Sequence, residues 1–134
     1  MAAADVFFDT NVLLYLLSAD ATKADRAEAL AANGGVISVQ VLNEFASVCL
    51  RKLAMSVAEV REGLSTIRAV CEVIPLDLET HEMALDLVER HQLGMYDALI
   101  VAAAVQANCA VLYTEDLQHG QTIGGLRIQN PFEG

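Results

Sequence analysis

Residues 7–17 read FFDTNVLLYLL: an apolar pair, three small polar residues (Asp9-Thr10-Asn11), and an apolar run that resumes at once. The short segment before Asp9 has the length of a strand, and the run after it suits a helix, so a buried strand feeds a helix here. An aspartate at such a junction has two uses. It caps the helix, which is the commonest reason to find one there. Alternatively it is a reactive group at the carboxyl end of a buried strand, where α/β proteins hold their sites.

The same alternation continues outward from that stretch. VFF at 6–8 reads as a strand, VLLYLLS at 12–18 as a short helix, and TKADRAEALAA at 22–32 as an alanine-rich helix ended by Asn33-Gly34-Gly35. VIS at 36–38 is a second strand, followed by helices over 39–53 and 57–71 and a strand VIP at 73–75. ETHEMALDLVERHQ at 79–92 is amphipathic, with Met83, Leu87 and Val88 near one face. DALIVAAAVQA at 97–107 is apolar nearly all round, which predicts a central helix. VLYT at 111–114 and RIQ at 127–129 complete the strands. Short apolar strands alternating with helices predict an α/β fold, a central short parallel sheet flanked by helices in three layers.

The 134 residues are expected to form one domain over 1–134, and the hydrophobic fraction of 54% excludes a disordered chain. No apolar run is long enough for a membrane span, and the start, MAAADVFFD, carries no positive leader region, so a cytoplasmic protein is expected. Cys49, Cys71 and Cys109 form no C-x-x-C pair and read as buried free thiols, Cys49 and Cys71 at apolar helical positions. His81 and His91 fall in a polar helix and are expected at the surface; with His119 they share no metal-ligand spacing with the cysteines. The net charge of −10 argues against nucleic-acid binding when taken alone. It suits a protein that gathers carboxylates around a divalent cation, or one with a basic partner.

Four acids stand where such a gathering is possible. Asp9 follows the first strand, and Asp116, with Glu115 beside it, follows VLYT. Asp97 opens the helix 97–107, and Glu44 borders the apolar face made by Val41, Phe45 and Val48. Singly, Asp9, Asp97 and Asp116 read as helix caps and Glu44 as a boundary residue. Brought together they would repel and raise one another's proton affinity. A hard cation such as Mg²⁺ or Mn²⁺ relieves this, and the chemistry it suggests is metal-assisted phosphodiester hydrolysis.

FFDTNVLLYLL, ISVQVLNEF, YDALIVAAA and LYTEDLQHG, in this order and separation, resemble the PIN-domain ribonucleases, over nearly the whole chain. The small size looks most like the bacterial VapC-type toxins of toxin–antitoxin pairs. The resemblance implies a PIN fold and a Mg²⁺-dependent endoribonuclease, with Mn²⁺ as a possible substitute. It implies that Asp9, Glu44, Asp97 and Asp116 bind the metal, with Asp9 and Asp97 as direct ligands. Thr10, Asn11, Ser38 and Thr114 would orient the carboxylates or water. The partners implied are an RNA substrate, a second copy in a homodimer, and an antitoxin whose arginine-bearing segment enters the acidic pocket. Arg51, Lys52, Arg61 and Arg68 are candidates for an RNA-facing side of the middle helices.

Other readings share some of these features. A haloacid-dehalogenase-type phosphatase needs a second aspartate where Asn11 stands, and a receiver domain needs a lysine after a later strand, whereas the only lysines are 23 and 52. A housekeeping RNA-processing nuclease, or a non-catalytic PIN-fold module that binds RNA or protein, fits the same residues.

Overall fold

The strand that ends in Asp9, β1 (Val6–Phe8), lies inside a six-stranded sheet in the computed structural model. The structure describes residues 5–133; residues 1–4, which open the segment read as lacking a leader, and residue 134 lie outside the described residues. The other strands are β2 (Gly35–Ser38), β3 (Cys71–Ile74), β4 (Val111–Tyr113), β5 (Thr122–Ile123) and β6 (Leu126–Gln129). Their order is β3-β2-β1-β4-β6-β5, parallel throughout except for the β5–β6 pair. The helices are α1 (Thr10–Leu14), α2 (Ala21–Ala32), α3 (Val39–Arg51), α4 (Val57–Val70), α5 (Leu78–His91) and α6 (Met95–Gln106). Among the described residues no helix is long and apolar enough to cross a membrane.

From β1 the chain steps outward to β2 and β3, then returns past β1 to β4. Right-handed crossovers taken in opposite directions put α1–α4 and the α5–α6 pair on opposite faces of the sheet. The reversal makes the carboxyl ends of β1 and its neighbours a switch point, where a crevice opens. The core is built to hold it still: Phe7, Phe8, Ile37, Leu112 and Ile128 are fully buried, and so is α6 from Ala98 to Ala104. Gly35 serves the same end. A Cβ there would stand 2.5 Å from the Phe8 ring, so no larger residue lets β2 approach β1.

Local chemistry sets the element boundaries and moves several of those expected. The helix read at 12–18 starts at Thr10, because Asp9 takes the Thr10 N–H, and tightens to a 3₁₀ turn at Tyr15–Leu17. Cys71 does not belong to α4. It is extended and pairs with Gly35, so sheet pairing wins the last residue of the expected helix. All three cysteines are buried, as expected. The α6 helix starts at Met95 with Gly94 as its cap, so Asp97 is its third residue and not its opening one. The β5 strand was not expected from the sequence; it is made by a Gly124-Gly125 turn with both glycines at positive φ, a hairpin geometry that other residues resist.

Candidate metal centre

The parallel register carries the side chains of the site to one edge. Pairing of Phe8 with Tyr113 sets Asp9 level with Thr114, and pairing of Phe7 with Val36 sets Ser38 at the same height on the other side. Asp9 is 4% exposed, and both its oxygens accept hydrogen bonds from nearby groups. Its Oδ1 accepts from the Thr10 N–H at 2.7 Å; its Oδ2 accepts from the Thr114 hydroxyl at 2.7 Å and from Asn11 Nδ2 at 3.4 Å. Thr114 Oγ1 in turn accepts from the Asp116 N–H at 3.0 Å and Asn11 Nδ2 at 3.3 Å, which fills a hydroxyl's capacity of one donor and two acceptors. One buried hydroxyl therefore fixes both Asp9 and the backbone that carries Asp116.

Asp9, Asp97 and Asp116 each offer a carboxylate oxygen, and the three oxygens lie within 4.8 Å of one another. Glu44 stands beside this trio and outside it, its Oε1 accepting from the Thr10 hydroxyl at 2.7 Å. The cap reading holds for Asp9 alone: Asp97 lies inside the first turn of α6, and no helix follows Asp116.

Burial pushes the Asp9 carboxyl up to about 7, against the hydrogen bonds from Thr114 and Thr10, with the charges of Asp116 and Glu44 adding to the rise. Asp97 is raised too, by burial first and then by Asp116 and Glu44. None of the groups acting on either carboxyl is a cation. The set is all-oxygen, closely spaced and, among the described residues, without a basic partner, which is the donor set of a hard divalent ion. Ser38 adds an independent sign. Its Oγ is fully buried at the same strand level and has no hydrogen-bond partner among the described residues, an arrangement costing about 1–3 kcal/mol unless something polar meets it. The residues present fit a bound metal.

Three residues at the rim escaped the sequence. The Tyr15 hydroxyl donates to Glu115 Oε1 at 2.7 Å, Lys23 Nζ donates to the Tyr15 hydroxyl oxygen at 3.1 Å, and the Lys23 ammonium lies 3.8 Å from Glu115 Oε2. Asn11 Oδ1 accepts from the Glu115 N–H at 3.2 Å and so ties this group to Asp9's own helix. A pairing across 100 residues leaves no mark in local spacing.

A family model described as PIN domain matches residues 6–122. No curated protein matches. Among solved structures, a chain of a toxin–antitoxin complex from Klebsiella pneumoniae is 21% identical, with a TM-score of 0.72, covering 96% of this chain and 98% of that one. The VapC20 toxin of Mycobacterium tuberculosis, described as cleaving the sarcin–ricin loop, is 21% identical with a TM-score of 0.67, covering 83% and 89%. A chain of VapBC2 from Rickettsia felis, bound to promoter DNA, is 23% identical with a TM-score of 0.66, covering 92% and 96%. At such identities the likeness is one of fold.

Proposed function

Since this chain belongs to the PIN domain family, we propose that it is a Mg²⁺-dependent endoribonuclease and the toxin of a VapBC-type pair, a single PIN domain over residues 1–134 working in the cytoplasm. The observation that carries the nuclease reading is the trio of carboxylates, drawn from β1, α6 and the end of β4, converging within 4.8 Å with no cation among them.

Asp9, Asp97 and Asp116 would hold Mg²⁺ or Mn²⁺, with Ser38 aligning a water beside it. When bound, such an ion stabilises charge on a phosphoryl oxygen and lowers the pKa of water. The rest falls to the chain. Thr114 fixes Asp9 and the Asp116 backbone in one geometry, and Asn11 bridges Asp9 to the Glu115 backbone. Glu44, anchored through one oxygen by Thr10, keeps the other free to take the proton of a water as it attacks phosphorus. The bond from phosphorus to the leaving ribose oxygen then breaks, that oxygen takes a proton from solvent water, and the fragments end in one phosphate and one hydroxyl.

A labelled RNA tests this. Cleavage is expected with Mg²⁺ or Mn²⁺ and not in chelator, and Asp97→Asn is expected to abolish it; full activity in either case overturns the mechanism. Binding without cleavage at every metal concentration would point to a non-catalytic module. The toxin assignment rests on the family and on neighbours that come from toxin–antitoxin complexes. It predicts growth arrest on expression, a homodimer, and an antitoxin whose arginine forms a bidentate pair with the acidic pocket. Unaffected growth and no copurifying small protein would leave a housekeeping nuclease.

A further inference from the structure

The three acids of the metal centre are not held equally well. Asp9 is buried at the junction of β1 and α1, and Asp97 rides the first turn of a helix that is buried from Ala98 to Ala104. Asp116 is exposed, in an irregular segment that follows β4 and has no helix to fix its direction. A carboxylate on such a segment meets an ion only as well as its backbone is anchored.

The anchors can be traced. On the strand side the Thr114 N–H donates to the Gln129 carbonyl at 3.0 Å, and the Asp116 N–H to Thr114 Oγ1 at 3.0 Å. At the far end the Gly120 N–H donates to the Ile128 carbonyl at 2.8 Å, and the Asn130 N–H to His119 Nδ1 at 3.0 Å. Glu115 stands between these ends, next to Asp116. Its N–H donates to Asn11 Oδ1 at 3.2 Å. Its Oε1 accepts from the Tyr15 hydroxyl at 2.7 Å, and its Oε2 lies 3.8 Å from the Lys23 ammonium. Both oxygens are engaged at the rim, and Glu115 is not one of the three acids whose oxygens converge.

Of the two rim partners, Tyr15 sets the geometry. The Lys23 and Glu115 side chains are 38% and 26% exposed, so water screens their attraction. The hydroxyl-to-carboxylate bond is short and directional. The ring that carries the hydroxyl is itself held. It meets the Phe132 ring edge to face with centroids 4.5 Å apart, and the Lys23 ammonium stands 4.7 Å from its centroid. We propose that Tyr15 is a positioning residue for the metal centre: its hydroxyl pins Glu115 and so holds the segment after β4 where Asp116 converges with Asp9 and Asp97. The inference rests on the metal-centre reading and adds to it a residue outside the trio that sets its affinity.

The test is Mn²⁺ binding to the full chain without RNA, read from the electron paramagnetic resonance signal of the free ion, with Asp97→Asn as the background. Tyr15→Phe keeps the ring against Phe132 and removes the hydroxyl; Glu115→Ala removes its partner. Each is expected to weaken Mn²⁺ binding about tenfold, the lower end of what the loss of a supporting bond costs a metal site. The double variant should lose no more than either single one, because both break the same bond. Glu115→Gln keeps an oxygen for the Tyr15 hydroxyl and should retain most of the wild-type affinity. Melting in chelator separates this from a merely structural role, in which Tyr15→Phe would melt lower and bind Mn²⁺ as wild type does. That result overturns the proposal and leaves the metal-centre reading standing. Tighter binding by Tyr15→Phe overturns it too, because the bond would then serve to keep Glu115 off the ion. If wild type binds no more Mn²⁺ than Asp97→Asn, the metal-centre reading falls and this inference with it.

Discussion

Asp9 and Asp77 do the same local job with opposite results. Each is the N-cap of the helix that follows it, and each side chain accepts from backbone in the first turn. Asp77 stands in water ahead of α5, where the Thr80 N–H at 2.9 Å and hydroxyl at 2.8 Å hold its carboxyl below the usual range. Asp9 stands between two parallel strands, where burial outweighs similar hydrogen bonds and lifts it to about 7. Capping is therefore common to both and explains neither difference. What separates them is depth and company: Asp9 is buried with Asp116 and Glu44 nearby, and Asp77 is not.

The widest gap between the two should appear in activity. Asp9→Asn keeps the shape of the cap and removes a charge the ion needs. RNA cleavage in Mg²⁺ should fall roughly a thousandfold, the equivalent of about 4 kcal/mol of transition-state stabilisation. Asp77→Asn should stay within about twofold of wild type; equal losses in the two variants would reduce Asp9 to a cap.

Stability against pH comes next. Asp9 binds its proton more tightly folded than unfolded, so in chelator its contribution is full at low pH and is lost as pH rises from about 3.8 to about 7. The slope approaches about 1.4 kcal/mol per pH unit at most. Asp9→Asn lacks this loss and should melt above wild type at pH 8, the gap closing by about pH 4. Asp77 has the reverse sign: its contribution is present above the usual aspartate range and fades as pH falls. Thermal melts across pH would break the comparison if both variants tracked wild type.

Adding Mg²⁺ at about a hundredfold excess over its dissociation constant should stabilise wild type and Asp77→Asn by about 2.7 kcal/mol. Asp9→Asn should gain much less. The smallest effect is the cap itself: Asp77→Ala should lower the melting temperature by a few degrees at most, with cleavage unchanged.

The sequence made this comparison visible only in part. The buried strands, the all-apolar α6 and the acids at strand ends were legible, because period and composition are local signals. Asp97 read as a cap because an aspartate near a helix start has the same signature whether or not it caps, and Asp116 because a strand end looks the same in sequence whether or not a helix follows. The Cys71 boundary and the β5 hairpin depended on which partner strand lay alongside. Glu44's place beside the trio needed Thr10, and the rim group of Tyr15, Lys23 and Glu115 needed the two ends of the chain to meet. Such long-range pairings are the part of the fold that no window of residues encodes.

One of them bears on how the protein is made. The hydroxyl that fixes Asp9 comes from Thr114, 105 residues later, and two of the three converging carboxylates lie at 97 and 116. A ribosome adds about 5–20 residues per second, and the N-terminal part emerges first. Until residues 97–116 emerge, the nascent chain carries Asp9 with no β4 to pair β1 and no companions to form the cluster. The trio assembles only after β4 and the residues up to Asp116 have left the exit tunnel, so its geometry is acquired late in folding.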